Sequence, residues 1–257
     1  MAALIMCWPS TAVSFPQSSS LTPGQAAIEK QRQRLAAGDP EERRDALMQL
    51  WAMHRGEASR VATVGLTDSS PTVRAVAAKA ILSLGADESV AALTPLLVDK
   101  NEFVRREVAY ALGLTRSRKA TDALIQLLLN DKEDGVRAAA AVSLGEVEDE
   151  SAVVTLANVL SGNASSSSRK KSKTEKNAFV LRAVARSLGQ IKSRTAVPAL
   201  ITALANENLV NDVRREAARS LGMIGDPAAV PALRVAANSA DPYLAQAAFE
   251  SLRKLNP

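Results

Sequence analysis

Segments of one ten-residue pattern recur along the chain at nearly constant spacing, and no other feature constrains the fold as strongly. VRAVAAKAIL begins at Val73, VRREVAYALG at Val104, VRAAAAVSLG at Val136, VLRAVARSLG at Val180, VRREAARSLG at Val213 and LAQAAFESLR at Leu244. These starts lie 31, 32, 44, 33 and 31 residues apart, and ERRDALMQLW at Glu42 lies another 31 upstream. The long interval contains SGNASSSSRKKSKTEKN at 161–177, an insertion that accounts for its excess of 13 residues over the spacing of 31. Within a copy the apolar residues follow the 3–4 spacing of an amphipathic helix. Val104, Val108, Ala109 and Leu112 fall on one side, while Arg105, Arg106 and Glu107 fall elsewhere. The fifth and sixth positions are nearly all small or medium, as in Ala77/Ala78, Ala140/Ala141 and Ala217/Ala218. Such residues let a neighbouring helix approach to the lower end of the usual packing distance, about 8 Å.

A second apolar segment follows each copy. These read as helices over Ala58–Leu66, Ser89–Val98, Ala120–Leu129, Ser151–Leu160, Thr195–Ala205 and Ala228–Ala237, with Gln25–Ala37 as the opening helix. Gly113, Gly145, Gly189 and Gly222 close four copies, and Gly85 follows a fifth. Glycine just past a helix takes the left-handed conformation without a Cβ penalty, so all five read as helix stops. Pro198 and Pro231 fall near helix starts, where a missing N–H is harmless, whereas Pro95 falls deeper and should bend or shorten its helix. One antiparallel pair cannot bury both of its faces, but a stack can. The expected fold is therefore all-α: a single superhelical solenoid of about seven helix pairs over 25–255, roughly 70 Å long at about 10 Å per unit. Composition agrees, with 47% hydrophobic residues but only 3% aromatic, which suits closely packed helices.

The formal net charge is +5, yet Arg169, Lys170, Lys171, Lys173 and Lys176 against Glu175 place +4 of it inside 161–177. That Ser/Lys-rich insertion cannot form a core and reads as a disordered basic segment within the solenoid. With it set aside, no basic stripe remains to suggest nucleic acid as the expected partner. The first 24 residues carry no charged side chain and read as an unstructured leader, with a cleaved targeting segment as the alternative. The expected location is cytoplasmic. Apolar runs fall far short of the roughly 20 residues that span a bilayer, so no transmembrane segment is expected. One cysteine excludes an internal disulfide framework, and one histidine excludes most zinc sites. There is no glycine-rich phosphate loop, and no catalytic constellation can be assembled around His54 or Cys7, so no catalytic or metal site and no cofactor are expected, and no cofactor-binding residues can be named.

The recurring VRxxAAxALG followed by a short turn and AVPAL resembles the HEAT repeat family, specifically the short HEAT-like repeats of phycobilisome lyases, over about residues 25–255. The resemblance implies an armadillo-like helical solenoid whose second helices line the concave face. It also implies that the arginine after each valine packs with an aspartate from the preceding turn. The matching arginines are Arg74, Arg105, Arg137 and Arg214, and Asp68, Asp99 and Asp131 each lie six residues before their arginine. In the Arg214 copy that place is taken by Asn208, with Asp212 nearby. A turn carboxylate can accept backbone N–H bonds and meet a first-turn arginine, so a structural ladder is expected rather than a ligand site. Leu181 interrupts the arginine column after the insertion, while Arg43 and Ala245 stand in it at the two ends, so the ladder is expected mainly in the middle.

Function has to come from whichever face varies. The seventh position of the copies reads Met48, Lys79, Tyr110, Val142, Arg186, Arg219 and Glu250, which suits a surface that recognises a partner. Tyr110, Arg182, Arg186, Arg215 and Arg219 form the candidate patch, since tyrosine and arginine are strong interface anchors. The leading function is a non-catalytic scaffold or adaptor that binds a protein along its concave face. The resemblance offers a bilin lyase, or its partner subunit, as one alternative with a small-molecule bilin as ligand. A nucleic-acid binder is another.

Overall fold

The computed structural model describes residues 21–162 and 175–255, and every regular element among them is helical. In chain order these are α1 (Pro23–Arg34), α2 (Pro40–Ala52), α3 (Gly56–Ala62), α4 (Pro71–Ala80), α5 (Ala86–Leu93), α6 (Glu102–Leu114) and α7 (Thr121–Asn130). There follow α8 (Asp134–Val147), α9 (Val153–Leu160), α10 (Ala178–Ile191), α11 (Val197–Ala205), α12 (Asn211–Ile224), α13 (Val230–Ala236) and α14 (Pro242–Leu255). The even-numbered helices are the recurring first helices and the odd-numbered ones the second helices, giving seven pairs in a solenoid. Each first helix packs on the first helices before and after it. Residues 1–20 of the expected leader and 163–174 of the expected insertion lie outside the described residues.

Local chemistry sets the boundaries. Thr22 and Gln25 form a reciprocal cap that starts α1 at Pro23, two residues ahead of the expected start. Asn101 and Asn177 open α6 and α10 by accepting two backbone N–H groups each, those of Phe103 and Val104 and those of Phe179 and Val180. Pro95 shortens its helix as expected: α5 stops at Leu93 and continues as a 3-10 turn over Thr94–Val98.

The glycines correct the sequence reading. Gly113, Gly145, Gly189 and Gly222 lie inside α6, α8, α10 and α12 and do not stop them. Left-handed backbone instead falls three residues later in each case, at Arg116, Glu148, Lys192 and Gly225, and of the five expected stops only Gly85 has positive φ. The reason is packing. A Cβ on Gly113, Gly189 or Gly222 would stand 2.8 Å or 2.9 Å from the Cα of Ser143, Ser220 or Ser251 on the following first helix. The serines complete this seam: Ser143, Ser187 and Ser220 donate their hydroxyls to the Ala109, Ala141 and Ala185 carbonyls of the preceding first helix, at 2.7–2.8 Å. The fifth and sixth positions are fully buried in every copy except the last, where Phe249 is exposed. Filling the seams with alanine leaves leucines such as Leu112, Leu144, Leu188 and Leu221 to supply the bulk of the core, each worth about 1.5–3 kcal/mol on burial.

Candidate partner-binding surface

The loops that enter the first helices carry the arginine–carboxylate ladder, and its phase differs from the expected one. Arg43 grips Asp68 with both nitrogens at 2.7 and 2.8 Å, Arg74 grips Asp99 at 2.7 and 2.9 Å, and Arg105 grips Asp131 at 2.6 and 3.0 Å. The carboxylate therefore comes from the following loop. The loop before the helix contributes backbone: Arg74 also donates to the Asp68 carbonyl at 2.7 Å, and Arg105 to the Asp99 carbonyl at 2.8 Å. Each carboxylate accepts a backbone N–H two residues on, from Ser70, Asn101 or Glu133. One rung thus stitches two consecutive loops.

Arg43, expected only as an end residue, makes a complete rung. Arg137 closes a fourth one with Glu175 at 2.7 Å, and also meets Asp134. Glu175 lies within the expected insertion, so the described end of that stretch belongs to the ladder. The observed phase also unites two departures. The arginine missing at Leu181 and the carboxylate missing at Asn208 occupy the two halves of the same rung position. Arg214 instead donates to the Leu204 carbonyl and the Asn211 side chain.

Electrostatics follow the geometry. Asp68 is held below the usual carboxylate range first by its hydrogen bonds from Arg43, against an opposing push from burial. For Asp99 and Asp131 burial is the largest influence and pushes upward. The Arg74 or Arg105 bonds, the loop N–H and the nearby positive charges together outweigh it, so both are lowered. The ladder is internally satisfied and turned toward structure.

The candidate patch lies on the opposite use of these helices, their outward stripe. Arg182 and Arg186 stand exposed on α10, Arg215 and Arg219 on the adjacent α12 are half-buried and exposed respectively, and Tyr110 sits half-buried on α6. The structure brings the four arginines onto neighbouring helices and leaves Tyr110 apart, with α8 between. All five stand on first helices, whereas the resemblance assigned the concave face to second helices.

Apart from Tyr110, sequence reading missed the aromatics. Trp51, Phe103, Tyr110, Phe179, Tyr243 and Phe249 are the aromatic residues described, and none belongs to the buried core. Phe103, Phe179 and Tyr243 share one register, immediately before the first residue of a copy, a signal present in the alignment of the repeats. Each lies beneath a guanidinium: Arg106 at 5.3 Å from the Phe103 centroid, Arg182 at 5.7 Å from Phe179 and Arg215 at 5.4 Å from Tyr243. Among the described residues no cluster of His, Cys, Asp and Glu could hold a metal ion, and no helix is long and apolar enough to cross a membrane.

Comparison with protein families matches HEAT repeats over residues 28–112, 59–145, 99–172 and 169–253. Among solved structures, the Escherichia coli protein YibA is similar at a TM-score of 0.60 and 18% identity, over 91% of this chain and 82% of its own. A chain from the complex of CpcE and CpcF of phycocyanin lyase from Nostoc is similar at 0.51 and 22% identity, over 99% of this chain and 94% of its own. Human deoxyhypusine hydroxylase also matches, at 0.43 and 20% identity over 90% and 96% of the two chains. At these identities the likeness is one of fold. Comparison with curated proteins gives no match.

Proposed function

Because this chain belongs to the HEAT repeat family, we propose that it is a non-catalytic scaffold that takes a protein partner on the outward stripe of its first helices. One observation carries the proposal: of the six described aromatic side chains, five are exposed and the sixth, Tyr110, is only half-buried at the edge of the core. Single exposed apolar residues are ordinary. Here three aromatics recur at one register, paired with arginines, on a stack whose core is aliphatic, chiefly alanine, leucine and valine. Aromatic side chains dominate interface energetics because they bring large area with few rotors, and arginine adds a planar guanidinium that stacks on them. A solenoid displays such side chains on successive helices as one extended surface.

The bilin-lyase alternative would direct the same arginines to propionate groups, but its support is a likeness of fold. For nucleic acid, most of the net positive charge sits outside the repeats. Hydroxyl-radical footprinting of the complex with a co-purifying partner tests the proposal, since exposed aromatic rings label readily. Protection of Phe103, Tyr110, Phe179 and Tyr243 is expected. Protection confined to second-helix residues such as Val154 would move the binding face to the other layer.

A further inference from the structure

We infer that Arg182 and Arg186 of α10, with Arg219 of α12, form an anchoring subsite for an acidic segment of the protein partner, a refinement that rests on the scaffold reading. The first observation is a surplus of charge. Most other first-helix arginines are occupied: Arg43, Arg74, Arg105 and Arg137 in rungs, Arg44 by Glu41 at 2.7 Å, and Arg215 by Asp212 at 3.0 Å and Asp241 at 3.6 Å. Arg219 meets Glu216 at only 3.6 Å. Arg182 and Arg186 make no ion pair with any described carboxylate within 4.0 Å. Like charges four residues apart on a helix repel by a few tenths of a kcal/mol, and α10 carries no carboxylate to offset this.

The second observation is preorganisation. Arg182 lies over Phe179, its guanidinium carbon 5.7 Å from the ring centroid, and Phe179 is itself 51% exposed, so the guanidinium rests beside a surface that a partner can also cover. Arg186 stands one turn further along, about 6 Å by helix rise. Arg219 occupies the same repeat position as Arg186 on the neighbouring first helix, about 8–10 Å away. Carboxylates at alternate residues of an extended chain are spaced by about 6.6 Å, close to the Arg182–Arg186 step, and guanidinium accepts carboxylate in a two-bond fork. Asp212 and Glu216 on α12 and Glu146 on α8 interrupt the positive charge around the three arginines. A phosphate backbone with a charge at every step would meet these acids, whereas a peptide can place its carboxylates selectively.

The test is fluorescence anisotropy with a labelled dodecapeptide of alternating glutamate and leucine, and with its glutamine counterpart. The intact chain is compared with Arg182→Gln/Arg186→Gln, Arg219→Gln and, as a control, Arg194→Gln, an exposed arginine beyond the patch. The basic stretch 169–176 is present in all of them, so a difference between variants cannot come from it. The double variant should bind the acidic peptide at least tenfold more weakly, Arg219→Gln two- to fivefold, and Arg194→Gln within twofold, all with unchanged helicity. Binding should weaken with salt, and the glutamine peptide should bind at least tenfold more weakly than the acidic one. Equal affinity of the double variant, equal affinity for the glutamine peptide, or tighter arginine-dependent binding of single-stranded DNA would each overturn the inference. Footprinting judges the scaffold reading separately: protection of the first-helix aromatics without acidic-peptide binding would remove only the subsite.

Discussion

Replacing Gly189 by alanine separates two roles of glycine that a sequence alone cannot distinguish. In an exposed helix interior, Gly→Ala stabilises by about 1 kcal/mol. In α10 the new Cβ would lie 2.6 Å from the Ser220 Oγ, 2.7 Å from its Cβ and 2.8 Å from its Cα. The last contact is backbone, so α12 must move away by several tenths of an ångström. Overpacking of this kind costs about 1–3 kcal/mol. The displacement also loosens the 2.8 Å bond from Ser220 to the Ala185 carbonyl, worth about 1 kcal/mol. After the propensity gain, a net loss of about 1–3 kcal/mol is expected, a urea midpoint lower by about 1 M if the slope is near 2 kcal/mol/M. Gly38→Ala is the control, because no heavy atom lies within 4 Å of its added Cβ. It should be neutral or stabilising by up to about 1 kcal/mol. Denaturation followed by circular dichroism decides the matter. A Gly189→Ala protein as stable as the wild type would refute the seam.

Ala141→Leu should lower the denaturation midpoint more than Val142→Leu, by about 1–3 against under about 1 kcal/mol, because Ala141 is fully buried and Val142 is half-exposed. Deleting 163–174 should leave the thermal midpoint within about 2 °C, whereas deleting 165–176 also removes Glu175, the partner of Arg137, and should lower it measurably. Asp68, Asp99 and Asp131 have lowered folded-state pKa values, so their contribution is complete above the unfolded value, about 4, and disappears as pH falls through the folded values. Asp99→Asn should accordingly cost about 1–2 kcal/mol at neutral pH, allowing for water at the rim, and make stability less steep in pH below about 5. An unchanged acid profile in denaturation experiments would count against the rung.

The helix pairs were legible because alanine, leucine and valine at helical spacing leave few other ways to bury themselves, and a period of 31 residues fixes the stack. Gly189 was misread because a chain stop and a close helix approach both select the residue without a Cβ. The choice between them depends on Ser220, which belongs to the next copy. The ladder's phase escaped for a similar reason. Asp99 stands six residues before Arg105 and 25 after Arg74, and only the stacking shows which guanidinium reaches its side chain. Glu175 was hidden by the lysines around it. Variation among copies at the seventh position drew attention to Tyr110, Arg186 and Arg219, but not to Phe179 and Tyr243, because their register precedes the first residue of the repeated segment.

The central functional claim is that the outward stripe of α10 and α12 meets the partner. Titrating a co-purified partner against Arg186→Glu/Arg219→Glu at two ionic strengths tests it most directly, after circular dichroism has established that the variant is folded. The two sites occupy matched positions on adjacent helices, so one partner surface can meet both, and charge reversal adds repulsion to the lost attraction. Affinity should fall at least tenfold at low salt, with the deficit shrinking as salt screens exposed charges. A folded double variant with wild-type affinity at both ionic strengths would contradict the assignment of this face.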